Sequence, residues 1–118
     1  MSVRVMVFAK IKPGDEAAFE AAYQEVTRKV KGTPGHIRDE LLRDTGEPFP
    51  YGAPELAQPR APGDPITYIL LSEWESKEAF LAWERDPIHM QTTTPMRPYW
   101  LGKVDRRIFD IAFSLSAG

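Results

Sequence analysis

The sequence contains no cysteine, and this absence excludes a disulfide scaffold, a thiolate metal site, an iron–sulfur cluster and a cysteine nucleophile. Histidine is scarce, since His36 and His89 are the only two, and the carboxylates near them do not form a metal-ligand pattern. We therefore expect no metal ion. The glycines are scattered among turns without a phosphate-binding loop, and neither H-E-x-x-H nor G-x-S-x-G occurs.

A long apolar run is missing near the N-terminus. The run Val5–Ala9 is bounded by Arg4 and Lys10 and is too short for a signal-peptide core or a membrane span. We therefore expect a cytoplasmic protein with no membrane partner.

Neither sign of charge dominates, because 15 basic and 17 acidic residues give a net charge of −2. This balance creates no field that would attract a polyanion, so we expect no nucleic-acid partner. The basic cluster Lys103, Arg106 and Arg107 is interpreted as a solvated strand end. The 118 residues, 42% of them hydrophobic, fit one folded domain covering residues 1–118.

Hydrophobic periodicity predicts a β-α-β-β-α-β order. The predicted elements are a strand at 3–11, a helix at 15–31, strands at 36–43 and 66–74, a helix at 77–85 that restarts at 87–97, and a strand at 103–113. Right-handed crossovers place both helices on one face of a four-stranded antiparallel sheet. The predicted fold class is therefore α+β with a ferredoxin-like arrangement.

The other face of this sheet is also apolar in three of its four strands, and a monomer would expose it to water. We therefore expect a homodimer packed sheet to sheet.

The stretch 44–65 interrupts the pattern. It holds 6 of the 11 prolines and has no periodicity. Long connections of this kind are functional or disordered, so the segment is predicted to be an insertion, either a mobile hairpin extension or a lid over a pocket or partner subunit.

Several short motifs between Tyr68 and Arg97 occur together. They are S-E-W-E-S at 72–76, E-A-F at 78–80, D-P-x-H at 86–89 and T-x-P-M-R at 93–97, and P-G-x-E-x-x-F opens the first helix at 13–19. In these motifs the chain resembles the antibiotic biosynthesis monooxygenase family, whose small ferredoxin-like proteins dimerise into an α/β barrel.

The resemblance is greatest to the branch that oxidises anthrones or naphthacenones to quinones in polyketide pathways. It implies a monooxygenase of secondary-metabolite biosynthesis that acts on an aromatic polyketide-like substrate with molecular oxygen as co-substrate and no metal, flavin or haem. Two alternatives share the scaffold: a polyketide cyclase or isomerase, and a non-catalytic dimeric module that binds small molecules.

The haem-degrading relatives have an Asn late in the first strand and a proximal His ten residues after the tryptophan matching Trp83. Here those positions hold Ala9 and Thr93, so the resemblance argues against haem.

The candidate site residues follow from the resemblance and from side-chain chemistry. His89 is the candidate base, because its unperturbed pKa suits removal of a phenolic or benzylic proton. Arg97 is the candidate to hold the resulting oxyanion, since a guanidinium stays charged when buried. The residues expected to line the substrate pocket are Trp83, Trp74, Thr93, Tyr23 and Tyr68.

Overall fold

The computed structural model describes residues 2–48, 51 and 60–118. Its strands are β1 (Val3–Ile11), β2 (His36–Arg43), β3 (Ile66–Trp74) and β4 (Asp105–Asp110). Its helices are α1 (Glu16–Val30), α2 (Lys77–Arg85) and α3 (Ile88–Thr93), and a 3₁₀ helix, Thr94–Tyr99, follows α3.

The four strands form one antiparallel sheet in the order β2-β3-β1-β4. β1 pairs with both β3 and β4, and β2 pairs with β3. Each long crossover therefore joins two parallel strands that flank a third strand. This topology confirms the ferredoxin-like α+β fold predicted from the order of elements.

The hydrophobic core lies between the helices and one face of the sheet. Alternate residues of β1 and β3 point into it, and Phe19 of α1 packs edge to face against Tyr68 with ring centroids 5.0 Å apart. The buried hydrophobic residues are Val3, Val5, Ala9, Ile11, Phe19, Tyr23, Val26, Val30, Ile66, Tyr68, Leu70, Trp74, Phe80, Trp83 and Met96.

β4 is shorter than the predicted strand 103–113. Asp110 pairs with Val3, and β1 begins at Val3, so the neighbouring strand offers no partner for residues 111–113. The alternation of Ile111 and Phe113 therefore continues in sequence without becoming a strand, and Phe113 is 81% exposed.

The helix predicted at 87–97 is divided in two. Pro95 has no N–H for the helical hydrogen bond and its ring crowds the preceding turn, so the α-helix ends at Thr93 and the chain continues as the 3₁₀ helix. This tighter turn brings Met96 into the core.

The sheet face opposite the helices is partly apolar, as predicted. One row across the sheet consists of Leu42, Ile69 and Phe8, and Phe109 on β4 is 40% exposed. Charged residues lie farther along the same face, among them the ion pair between Arg4 and Glu73 at 3.1 Å.

Residues 49, 50 and 52–59 of the proline-rich segment 44–65 lie outside the described residues, and the choice between a lid and a hairpin extension lies outside them too. Within the described part of the chain, no helix is both long and apolar enough to cross a membrane.

Candidate active site

A cavity lies between the helices and the helix-facing side of the sheet. It contains about 740 Å³ of space that atoms do not fill, part of it open to solvent. All four strands, all three α-helices and the 3₁₀ helix contribute to its walls, which are largely apolar. The predicted site residues that line it are His89, Arg97, Trp83, Trp74, Thr93 and Tyr23.

His89 forms a pair with a carboxylate behind the cavity wall. Its Nε2 lies 2.8 Å from Oε2 of Glu84, and its ring packs edge to face on Trp83 with centroids 4.9 Å apart. Because a carboxylate only accepts hydrogen bonds, its position beside Nε2 favours the neutral tautomer that carries the proton on Nε2 and keeps the lone pair on Nδ1. Nδ1 is buried and has no hydrogen-bond partner among the described residues.

Burial lowers the pKa of His89, and the charges of Arg97 and Arg106 lower it further against the opposing effect of Glu84. The imidazole is therefore neutral near pH 7 and able to accept a proton.

Arg97 is held in place by Thr93 and Trp100. Its Nε donates to Oγ1 of Thr93 at 2.9 Å, and its guanidinium carbon lies 5.3 Å from the centroid of the Trp100 ring. Thr93 donates its own hydroxyl proton to the carbonyl oxygen of His89 at 3.0 Å. Thr93 therefore orients Arg97 rather than offering a free donor to the cavity.

Arg106, which no sequence motif indicated, lines the cavity together with Arg97. Its guanidinium pairs with Glu84, the same carboxylate that contacts His89. The interpretation of the basic cluster as a solvated strand end fits the exposed side chains of Arg107, 62%, and Arg106, 47%, but it overlooks that Arg106 also lines the cavity. Alternation in β4 gives these neighbours opposite directions, and the strand pairing that shows which one faces the helices is a tertiary feature.

Two tryptophans and a tyrosine form much of the aromatic wall. Trp74 is 1% exposed, packs edge to face on Phe80, and donates its indole N–H to Ser72 at 3.0 Å. Tyr23 comes from the apolar stripe of α1. Burial raises the pKa of Tyr23, and the negative charge of Asp39 raises it further, so its hydroxyl stays protonated.

Tyr68 does not line this cavity. It is 1% exposed, and its hydroxyl donates to Oε2 of Glu20 at 2.6 Å. Arg43 contacts the same carboxylate oxygen. Burial and the hydrogen bond to Glu20 raise the pKa of Tyr68 to about 12.

A second histidine–carboxylate pair, which sequence reasoning did not identify, lies on β2. Nε2 of His36 is 2.8 Å from Oδ2 of Asp39, and Asp39 lines the cavity. Burial raises the pKa of Asp39, and the nearby His36 opposes that rise. His36 and Asp39 are three residues apart, a spacing that ordinary strand alternation would place on opposite faces.

Within the described ranges no group of three or more His, Asp or Glu side chains is arranged to hold a metal ion.

The fold and its cavity define a ferredoxin-like α+β protein with a single-chain pocket between helices and sheet. The chain belongs to the antibiotic biosynthesis monooxygenase family, which residues 2–52 and 55–93 match. This match confirms the family resemblance drawn from the motifs between Tyr68 and Arg97.

Among curated relatives, protein SchA of Streptomyces halstedii is 30% identical over 100 residues, which are 85% of this chain and 22% of SchA. The chain thus spans about a fifth of the length of that relative.

Solved structures share the fold at low identity. SnoaB, a cofactor-independent oxygenase from Streptomyces nogalater, gives a TM-score of 0.68 at 18% identity, with 98% of both chains covered. The heme-degrading protein Rv3592 from Mycobacterium tuberculosis gives 0.64 at 19% identity, covering 98% of this chain and 100% of that one. Because an oxygenase and a heme-degrading protein share this one fold, the likeness supports the fold alone, and the reaction has to be argued from the site.

Proposed function

We propose that this protein is a cofactor-independent monooxygenase that oxidises an aromatic polyketide-like phenol or anthrone to a quinone with molecular oxygen, in secondary-metabolite biosynthesis. The observation that carries the proposal is the meeting of a neutral His89 with two guanidinium groups on the wall of an apolar cavity. This arrangement suits the removal of a proton from a weakly acidic substrate.

His89 is the proposed base. Glu84 fixes the imidazole tautomer through Nε2, so the unpartnered Nδ1 is the nitrogen that takes the substrate proton. The same carboxylate stabilises the imidazolium that forms.

Arg97 and Arg106 are proposed to stabilise the developing enolate or phenolate oxygen. Both line the cavity, whereas Glu84 lies behind its wall and pairs with Arg106 and His89. Positive charge aimed at the place where negative charge develops lowers the barrier most in an apolar, partly dry site.

The substrate itself supplies the electrons. His89 removes one proton from the reacting methylene, and the carbanion bonds to O₂ to give a peroxide at that carbon, which takes up a proton. Loss of the second C–H proton then cleaves the O–O bond. One oxygen atom remains as the quinone carbonyl and the other leaves as water. The carbon is oxidised by the four electrons that reduce O₂, so the balance requires no external reductant.

We accordingly expect the protein to use no cofactor and to take O₂ as its co-substrate. Trp74, Trp83 and Tyr23 are proposed to line the substrate pocket, and Thr93 is proposed to act through Arg97. Tyr68 is left out because its hydroxyl is bound to Glu20 away from the cavity.

A cyclase or isomerase is the second candidate, because it would use the same deprotonation and the same arginines without oxygen. The test is oxygen uptake by the purified, chelator-treated protein supplied with anthrones and dihydroxynaphthalenes. We expect uptake above the spontaneous rate, with one quinone formed for each O₂ consumed. Turnover that continues without oxygen would favour the cyclase or isomerase, and saturable binding with no turnover would favour the non-catalytic module.

The homodimer is proposed from the outer sheet face. The row formed by Leu42, Ile69 and Phe8 is too apolar to be left in water, and a second copy packed sheet to sheet would cover it. Analytical ultracentrifugation is expected to give twice the mass of the chain, and Phe8→Glu is expected to reduce it to the monomer value. A wild-type protein that sediments as a monomer at high concentration would contradict the dimer.

A further inference from the structure

The direction of His36 is set by an irregularity in β2. His36 pairs with Trp74 and Arg38 pairs with Glu73, so two residues of β2 advance while β3 advances by one. The extra residue, Ile37, is displaced outward and is 47% exposed. This β-bulge turns His36 to the same face as Asp39, and bulges of this kind commonly aim side chains beside functional sites.

Asp39 is the member of this pair that lines the cavity, and His36 lies behind it against Trp74, with ring centroids 5.0 Å apart. No other group among the described residues donates a hydrogen bond to the Asp39 side chain. Tyr23 is close enough to feel its charge but forms no hydrogen bond with it. Asp39 therefore retains acceptor capacity toward the cavity.

Asp39 and Arg106 lie at opposite edges of the sheet. Asp39 is on β2 and Arg106 is on β4, with β3 and β1 between them. Three strand spacings separate them by about 14 Å. Apolar side chains of the intervening strands, including Val5 and Leu70, line the cavity between the two edges.

We propose that Asp39 is a specificity-determining residue that accepts a hydrogen bond from a phenolic hydroxyl at the end of the substrate remote from Arg97 and Arg106, and that His36 is its positioning residue. The ligand thus has a fused aromatic body, an oxygen that becomes anionic at one end and a neutral hydroxyl at the other. This inference rests on the proposed function for the aromatic class of the ligand.

A neutral hydroxyl is the donor that suits this acceptor. One carboxylate oxygen of Asp39 already has the ring nitrogen of His36 at 2.8 Å, so an incoming neutral donor completes the site without adding charge to an apolar cavity.

The test is a matched pair of product-like probes, 2-hydroxyanthraquinone and 2-methoxyanthraquinone, at a pH that keeps the hydroxyl protonated. Quenching of tryptophan fluorescence gives the Kd of each probe without requiring turnover. We expect the wild-type protein to prefer the hydroxy probe and Asp39→Ala to lower that preference about tenfold or more, because a hydrogen bond to a carboxylate is lost.

Glu40→Ala is the matched control, since it removes the same charge from the neighbouring, exposed position that pairs with Leu71 on the other face. It is expected to leave the preference unchanged. If Asp39→Ala does not fold, Asp39→Asn, which keeps the volume, carries the test and is expected to lose part of the preference.

His36 is tested by a pair of substitutions with the same readout. His36→Phe removes the ring nitrogen that lies 2.8 Å from Asp39 and is expected to lower the preference for the hydroxy probe, whereas His36→Gln keeps a polar N–H in the side chain and is expected to restore much of it. A purely structural role would weaken both probes equally.

Equal preference in the wild type and in folded Asp39 variants would overturn the proposal, as would failure of the wild type to bind either probe. If the preference depends on Asp39 but no oxygen is consumed with any anthrone, this inference stands and the oxygenase reaction fails.

Discussion

The two histidine–carboxylate pairs have the same nitrogen-to-oxygen distance but opposite orientations toward the cavity. Nε2 lies 2.8 Å from a carboxylate oxygen in both pairs. In the pair formed by His89 and Glu84 the imidazole lines the cavity, whereas in the pair formed by His36 and Asp39 the carboxylate does.

This difference gives one cavity two unlike ends. The His89 end offers a nitrogen base beside Arg97 and Arg106, which favours the formation of an anion. The Asp39 end offers an acceptor, which favours a neutral donor. In the proposed function, the role of each pair therefore depends on which member faces the ligand and on the charges around it.

The largest expected effect on the rate of oxygen uptake comes from replacing His89. His89→Ala removes the proposed base and is expected to lower the rate of oxygen uptake by about 10²- to 10⁴-fold. The comparison with His36→Ala sharpens the assignment, because that variant should weaken substrate binding while leaving most of kcat. Oxygen-electrode kinetics under substrate saturation separate the two parameters, and equal losses of kcat in both variants would contradict distinct roles.

The next effect is at the arginines. Arg97→Gln is expected to lower kcat about 10²-fold, because one charge that stabilises the developing oxyanion is lost. Arg107→Gln provides the control, since Arg107 is exposed and pairs with Asp105 on the other face of β4. The assignment of Arg97 and Arg106 as the groups that stabilise the oxyanion would fail if the Arg107 variant lost as much activity as the Arg97 variant.

The pH dependence should identify the base by its surroundings. Because the pKa of His89 is lowered from 6.5, kcat is expected to fall on acidification only below about pH 6.5, as the imidazole becomes protonated. Glu84→Gln removes the charge that raises this pKa, so the acid limb should move to lower pH. Arg106→Gln removes a charge that lowers it, so the limb should move to higher pH. Profiles that stay unchanged in both variants would show that another group controls the limb.

The smallest effect is expected at Tyr68, which lies outside both ends of the cavity. Tyr68→Phe loses the hydrogen bond to Glu20 and should lower the free energy of unfolding by about 1 kcal/mol. Urea unfolding followed by circular dichroism measures this change. Oxygen uptake should not change, and a large loss of activity would place Tyr68 in the site after all.

Local sequence patterns were sufficient to predict most of the fold. The bounds of β1, β2, β3 and α2 agree with the predicted ones, because alternation and helical periodicity record which side of each element is buried. The predicted strand at 103–113 was too long, since a strand needs a partner and β1 begins at Val3.

The site was only partly predictable. His89, Arg97 and Trp74 lie in the motifs that carry the family resemblance, Trp83 matches a tryptophan of the family, and all four line the cavity. Thr93 lies there too, although its hydroxyl proton is used within the chain. Arg106 was missed because no local pattern shows which of two adjacent arginines faces the helices.

The sequence by itself determined the order of elements, the ferredoxin-like class and the family, because these depend on periodicity and on short contiguous motifs. Only the tertiary structure decided the pairing of Glu84 with both His89 and Arg106, and the inward turn of His36. These depend on strand register, on a one-residue bulge and on contacts between distant segments. A shift of one residue in register reverses which side chains face the cavity, and no local run of amino acids specifies that shift.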